Sequence, residues 1–124
     1  MVERVVVPVL NEAGDASQLS PHFGRAPLFA IIELTESGEI GKIKFAPNRS
    51  EHFGGRGRPP DILLSFAPNT VITFGMGPRA LRRFQAEGVA VMQASSTQLG
   101  EVLTAFKGNQ LVELTEGCRE ARHK

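Results

Sequence analysis

The sequence predicts an α/β domain in three layers, with a five-stranded mixed sheet between helices. Three patterns carry this expectation. Val5-Val6-Val7-Pro8-Val9-Leu10 is a short apolar run rich in β-branched residues, as in a strand covered on both faces. Two further strand-like runs follow it, joined by a short turn. From Pro59 onward, apolar residues at helical spacing alternate with short β-branched runs, so the element order is β-β-β-α-β-α-β-α.

The first run belongs at the sheet centre, because both of its faces need cover. Asn11 to Ser20 is polar, contains Gly14 and Asp15, and forms a loop. Leu28 to Leu34 makes the second strand and Ile40 to Phe45 the third, with turn chemistry in Glu36-Ser37-Gly38. Lys42 and Lys44 alternate with Ile43 and Phe45, which suits an exposed sheet edge. Pro59-Pro60-Asp61 opens a short helix carrying Ile62, Leu63 and Phe66, and Pro68-Asn69 ends it. Thr70 to Phe74 is the fourth strand. Pro78 to Glu87 is a helix with Ala80, Leu81 and Phe84 on one face and Gly88 as its stop. Val89 to Met92 is the fifth strand. The last helix begins near Ser96 or Thr97, either of which can cap it, buries Leu99, Val102, Leu103 and Phe106, and stops at Gly108.

Composition removes several classes of protein. A chain of 124 residues with 41% hydrophobic and 22% charged residues has the makings of one globular domain, placed at 1–114, followed by a charged tail at 115–124. A net charge of +1 gives no general attraction to nucleic acid or to anionic membranes. Cys118 is the single cysteine, so an intrachain disulfide is impossible and a reducing, cytoplasmic location is expected. Neither a secretory signal nor a membrane span is expected.

Strand direction brings distant segments together. A meander makes strands one and three run the same way, and crossovers through helices keep strands four and five parallel to strand one. The loops after strands one, three and four then share the carboxyl edge, where open α/β sheets bind ligands. Those loops are Ser20-Pro21-His22-Phe23-Gly24-Arg25-Ala26-Pro27, His52 to Pro60, and Gly75-Met76-Gly77-Pro78-Arg79. Arg25, Arg49, Arg56, Arg58 and Arg79 are half of the ten arginines in the chain, and with many glycine N–H groups beside them they favour an anionic ligand.

The Ser20–Pro27 motif after a Val-Pro-Val strand, the Gly54-Gly55-Arg56-Gly57 loop, and Gly75-Met76-Gly77-Pro78-Arg79-Ala80-Leu81 opening a helix together resemble the dinitrogenase iron-molybdenum cofactor biosynthesis family. The likeness spans residues 2 to 114. It implies a ribonuclease-H-like fold without nuclease activity and, as in the nitrogen-fixation members, binding or carriage of iron-sulfur precursors of the nitrogenase cofactor. Phe74 stands where many relatives carry another glycine, which makes this loop less open.

Under that resemblance the cargo is an iron-sulfur cluster or an iron-molybdenum cofactor precursor, bound transiently. Iron-sulfur clusters usually take several thiolates, whereas a carrier that must release its cargo does better with one or two ligands and many weak contacts. His22 and His52 are the candidate iron ligands, and Cys118 joins them if the tail folds back over the rim. Arg25, Arg56, Arg58 and Arg79 would balance charge, the N–H groups of Gly54, Gly55, Gly57, Gly75 and Gly77 would solvate the cargo, and Met76 would add a soft contact. Plainer roles stand beside these: His22 closing a turn, His52 solvated, Met76 packing on the helix, the arginines exposed, and the tail frayed.

Partners on this view are metallocofactor assembly proteins or an acceptor apo-enzyme, with neither nucleic acid nor membrane, and the chain is a monomer or weak homodimer. A metal-dependent nuclease is excluded on residues. Two-metal chemistry needs clustered carboxylates holding ions about 3.5–4 Å apart, and none lies between Glu3 and Glu12 or from Ala67 to Leu81. A phosphate- or nucleotide-binding regulatory module and a protein interaction module without retained metal are the alternatives to a non-enzymatic carrier.

Overall fold

Val5, Val6, Val7 and Val9 are wholly buried, because the strand that carries them, β1 (Glu3–Val9), is covered on both faces. The structure is a computed structural model that describes residues 3–48 and 59–114. Among the described residues six strands form one mixed sheet: β1, β2 (Leu28–Leu34), β3 (Ile40–Pro47), β4 (Thr70–Thr73), β5 (Ala90–Gln93) and β6 (Val112–Glu113), in the order β3-β2-β1-β4-β5-β6. Among the described residues three α-helices follow the meander: α1 (Pro59–Leu64), α2 (Pro78–Ala86) and α3 (Leu99–Lys107).

The first three strands pair antiparallel, while β4 lies parallel to β1 and β5 parallel to β4. Strands β1, β3, β4 and β5 therefore all end at one edge of the sheet. Winding reverses beside β1, since β2 and β3 add on one side and β4 onward on the other.

Alternation along β1 divides the core in two. Val5, Val7 and Val9 pack with Ala30, Ile32 and Ile72 beneath Leu99, Val102 and Leu103 of α3. Val6 packs with Phe29, Val71 and Val91 beneath Leu63 of α1 and Leu81 and Phe84 of α2. The three-layer arrangement follows from this division.

The sheet has one strand more than the five expected. β6 pairs antiparallel with β5 through Gln93 and Met92, and two residues are too short a run to show alternation in the sequence. Other boundaries shift for local reasons. α1 stops at Leu64, before Phe66, and Ala67 takes a left-handed conformation ahead of Pro68. α3 is capped by the backbone of Gln98 rather than by the side chain of Ser96 or Thr97, although the Ser96 hydroxyl accepts the Gln98 N–H at 3.3 Å. At its far end Asn109, not Gly108, adopts the left-handed conformation. Gly88 does end α2 with positive φ, and Gly38 turns the β2–β3 hairpin the same way.

Edge strand β3 exposes Lys42 and Lys44, while Ile43 and Phe45 lean on the α3-side core. Arg4, Glu33 and Lys42 form a row across three strands on the opposite face. The Arg4 guanidinium donates to Glu33 Oε2 at 3.0 Å and to the Phe66 carbonyl at 2.8 Å, and the Arg4 N–H donates to Asn69 Oδ1 at 2.7 Å. That hydrogen bond from Arg4 holds the Glu33 carboxyl below its ordinary value of 4.5, with the charges of Arg4, Lys44 and Lys42 adding to it. The pair's stabilising effect is therefore present above that value and disappears as pH falls through the lowered folded value.

Candidate functional site

Val9 hands the chain to a loop that first turns toward α3 and then toward α2. Its outer half is tied to the segment before α3. Leu10 N–H donates to the Gln18 carbonyl, Leu19 N–H to Thr97, and Leu99 N–H to Ser17, with isolated bridges Val9–Leu19 and Gln18–Gln98. This closes the carboxyl edge on the α3 side.

The inner half carries the Ser20–Pro27 motif and leans toward α2. Ser20 is buried, and its Oγ donates to the His22 carbonyl at 2.8 Å while accepting the His22 N–H at 3.2 Å. This local turn fixes the backbone of His22 and leaves its side chain exposed. Phe23 points inward instead, meeting Phe84 edge to face with ring centroids 5.8 Å apart. Arg25 is exposed and Ala26 fully buried. The motif therefore alternates buried anchors (Ser20, Phe23, Ala26) with the exposed side chains of His22 and Arg25.

The β4–α2 connection reaches the same edge. Thr73 is buried, and its Oγ1 donates to the Gly75 carbonyl at 3.4 Å. Met76 is 4% exposed and belongs to the core cluster that holds Phe23, Ala26 and Phe84. Its place is thus the packed floor between the two loops. Gly77 is the N-cap of α2, with φ −65° and ψ 160° and no side-chain cap, and Pro78 follows at the first helical position. Arg79 is exposed in the first turn.

Charge at the three helix starts differs. α1 and α3 carry Asp61 and Glu101 in their first turns, as the helix dipole favours, whereas α2 has no acid there and carries Arg79. A cation at the positive end of a helix is locally unfavourable, and an anion bound at the N–H groups would reverse that sign. On the α3 side the edge is acidic. An open depression of about 410 Å³ there is lined by Asp15, Gln98, Gly100, Glu101, Thr104, Ala105 and Gln110, a lining that repels anions.

Of the residues picked from the sequence, His22, Arg25, Gly75, Met76, Gly77 and Arg79 lie in the two loops at this edge. His52, Gly54, Gly55, Arg56, Gly57, Arg58 and Cys118, with Arg49 and the tail at 115–124, lie outside the described residues. Among the described residues no group of three or more His, Cys, Asp or Glu side chains could hold a metal ion. Sequence inspection missed Asn48. Buried at the end of β3, its Nδ2 donates to the carbonyls of Ala26 at 2.9 Å and Gly24 at 3.2 Å, and its N–H donates to Pro27 at 3.0 Å. The only available signal was an Asn directly after a strand-ending Ala-Pro pair.

The mixed sheet, the reversal of winding beside β1 and the helices packed on its two faces define a small α/β domain. The profile of the dinitrogenase iron-molybdenum cofactor family matches residues 4–109, and the chain belongs to that family. An uncharacterised protein of Methanocaldococcus jannaschii is 31% identical over 99 residues, which span 78% of this chain and 83% of that one. A Thermotoga protein provisionally described as NifB has a solved structure similar to this one at TM-score 0.74 and 27% identity, covering 95% of this chain and 98% of that chain. The apo form of the orange protein from Desulfovibrio gigas matches at TM-score 0.76 and 19% identity, over 92% and 94% of the two chains, a likeness of fold. Among the described residues no helix is long and apolar enough to cross a membrane.

Proposed function

We propose that this chain is a non-enzymatic carrier that binds an iron-sulfur-type metallocofactor, or its precursor, at the carboxyl edge between the Ser20–Pro27 loop and the start of α2. The observation that carries the proposal is the convergence of these two loops on one packed floor, with His22, Arg25 and Arg79 exposed above it. Membership of a family named for the iron-molybdenum cofactor supports the choice of cargo.

The donor set suits transfer more than storage. His22 supplies one imidazole, an occasional replacement for thiolate on iron. Arg25 and Arg79 supply charge-assisted hydrogen bonds to sulfide or carboxylate groups of the cargo. The N–H groups at Gly75 and Gly77 approach without side chains in the way, and Met76 supports them from below. Contacts of this kind hold an anionic cluster yet yield it to an acceptor with more thiolates. The partners are then assembly proteins that load the cargo or an apo-enzyme that receives it.

Anaerobic incubation of the full chain with ferric iron and sulfide should give a brown complex with charge-transfer absorption, weakened in His22→Ala. Equal absorption and affinity in that variant would remove His22 from the site. Tight retention of inorganic phosphate or nucleotide, with no uptake of iron and sulfide, would instead identify a phosphate-binding module.

A further inference from the structure

We infer that Asn48 is a positioning residue for the binding edge, setting the conformation from which His22 and Arg25 meet the cargo; the inference rests on the carrier function proposed above. Asn48 is 4% exposed and reaches three carbonyls within four residues of the motif loop: Gly24, Ala26 and Pro27. A buried amide needs hydrogen-bond partners, and two of those of Asn48 are carbonyls of this loop, Gly24 and Ala26.

The consequence is electrostatic as well as mechanical. Carbonyl oxygens are the negative ends of peptide dipoles, and those of Gly24 and Ala26 are drawn to the β3 side by the Asn48 amide. Because the peptide unit is planar and trans, turning the Gly24 carbonyl toward Asn48 turns the Arg25 N–H the opposite way. Two acceptors that would repel an anion are thus held off, and a donor is turned away from β3. Phe23 anchors the same loop from the α2 side through Phe84, so the segment between His22 and Ala26 is pinned at both flanks.

Asn48→Ala and Asn48→Asp in the full chain test this by two readouts: amide hydrogen exchange, and charge-transfer absorption after anaerobic incubation with ferric iron and sulfide. The aspartate variant keeps the shape but sets carboxylate oxygens against the Gly24 and Ala26 carbonyls, so it tests the donors even if the alanine variant folds poorly. Amides of residues 22–26 should exchange about tenfold faster or more while those of β1 keep their protection, and iron-sulfide absorption should fall to about half or less. In Asn48→Asp, lowering pH protonates the carboxylate and restores one donor, so loop exchange relative to wild type at the same pH moves back toward the wild-type rate. Unchanged exchange at 22–26, or a loosened loop that loads as fully as wild type, overturns the role of Asn48. Wild-type protein that takes up no iron and sulfide overturns the carrier function and the Asn48 role together, a failure visible before any substitution is made.

Discussion

Gly77 shows how a single residue separates structural from functional demand. A strand-to-helix turn can require glycine for positive φ or for close packing, yet Gly77 has φ −65° and a Cβ placed there would meet no atom within 4 Å. Neither strain nor crowding explains it. Gly77→Ala should therefore change stability by less than about 1 kcal/mol, the entropic gain offsetting the poorer N-cap. A methyl group at the cargo-facing edge should still weaken loading, by about tenfold if one close contact worth about 1.4 kcal/mol is lost. Parallel thermal melts and iron-sulfide titrations measure both effects, and full loading would take Gly77 out of the site. From sequence the glycine was visible but its reason was not, since a tight turn and an open approach ask for the same residue. Met76 illustrates the reverse: its thioether looked available beside two glycines, and burial under the loops makes it floor.

At the scale of elements, α2 and the motif loop are one unit held by Phe23 on Phe84. Phe23→Ala should cost roughly 3 kcal/mol, as expected for emptying a buried aromatic position, and should loosen the loop that presents His22. Phe23→Leu keeps most of the volume and should cost much less, about 1 kcal/mol. Chemical denaturation of both variants checks the order, and equal small losses would show that the loop is anchored elsewhere. Strands and helices with clear periodicity were legible: β1 from its β-branched run, α3 from Leu99, Val102, Leu103 and Phe106, α2 from its proline start and Gly88 stop. Elements built on backbone hydrogen bonds were not. β6 is two residues held by pairing to β5, and the Val9–Leu19 and Gln18–Gln98 bridges tie a segment that read only as polar loop to the end of β1 and the start of α3.

For the whole molecule, the sheet has two edges and treats them differently. β3 ends one side with Lys42 and Lys44 exposed beside the Arg4–Glu33 pair, while β6 ends the other with two residues. Short edges and lysines discourage strand addition between copies. Replacing Lys42 and Lys44 together by valine should convert the β3 edge into a pairing surface, seen as concentration-dependent self-association in sedimentation or size-exclusion experiments. A double variant that stays as dispersed as wild type would show that the lysines do not guard this edge. The polarity of the carboxyl edge is also a property of the whole: basic beside α2, acidic beside α3, from residues scattered over the chain.

Hydrophobic pattern alone settled the class of fold, the central place of β1 and the division of the core into two faces, because burial demands repeat every two or 3.6 residues and leave a local record. Motif spelling in Ser20–Pro27, Gly54-Gly55-Arg56-Gly57 and Gly75–Leu81 together indicated the family. Strand direction also indicated which loops share the carboxyl edge, but that Met76 is packed beneath them and that Asn48 holds the carbonyls of Gly24 and Ala26 emerged only from folding. Those relations join residues more than twenty positions apart, and a contact between distant residues has no period to betray it.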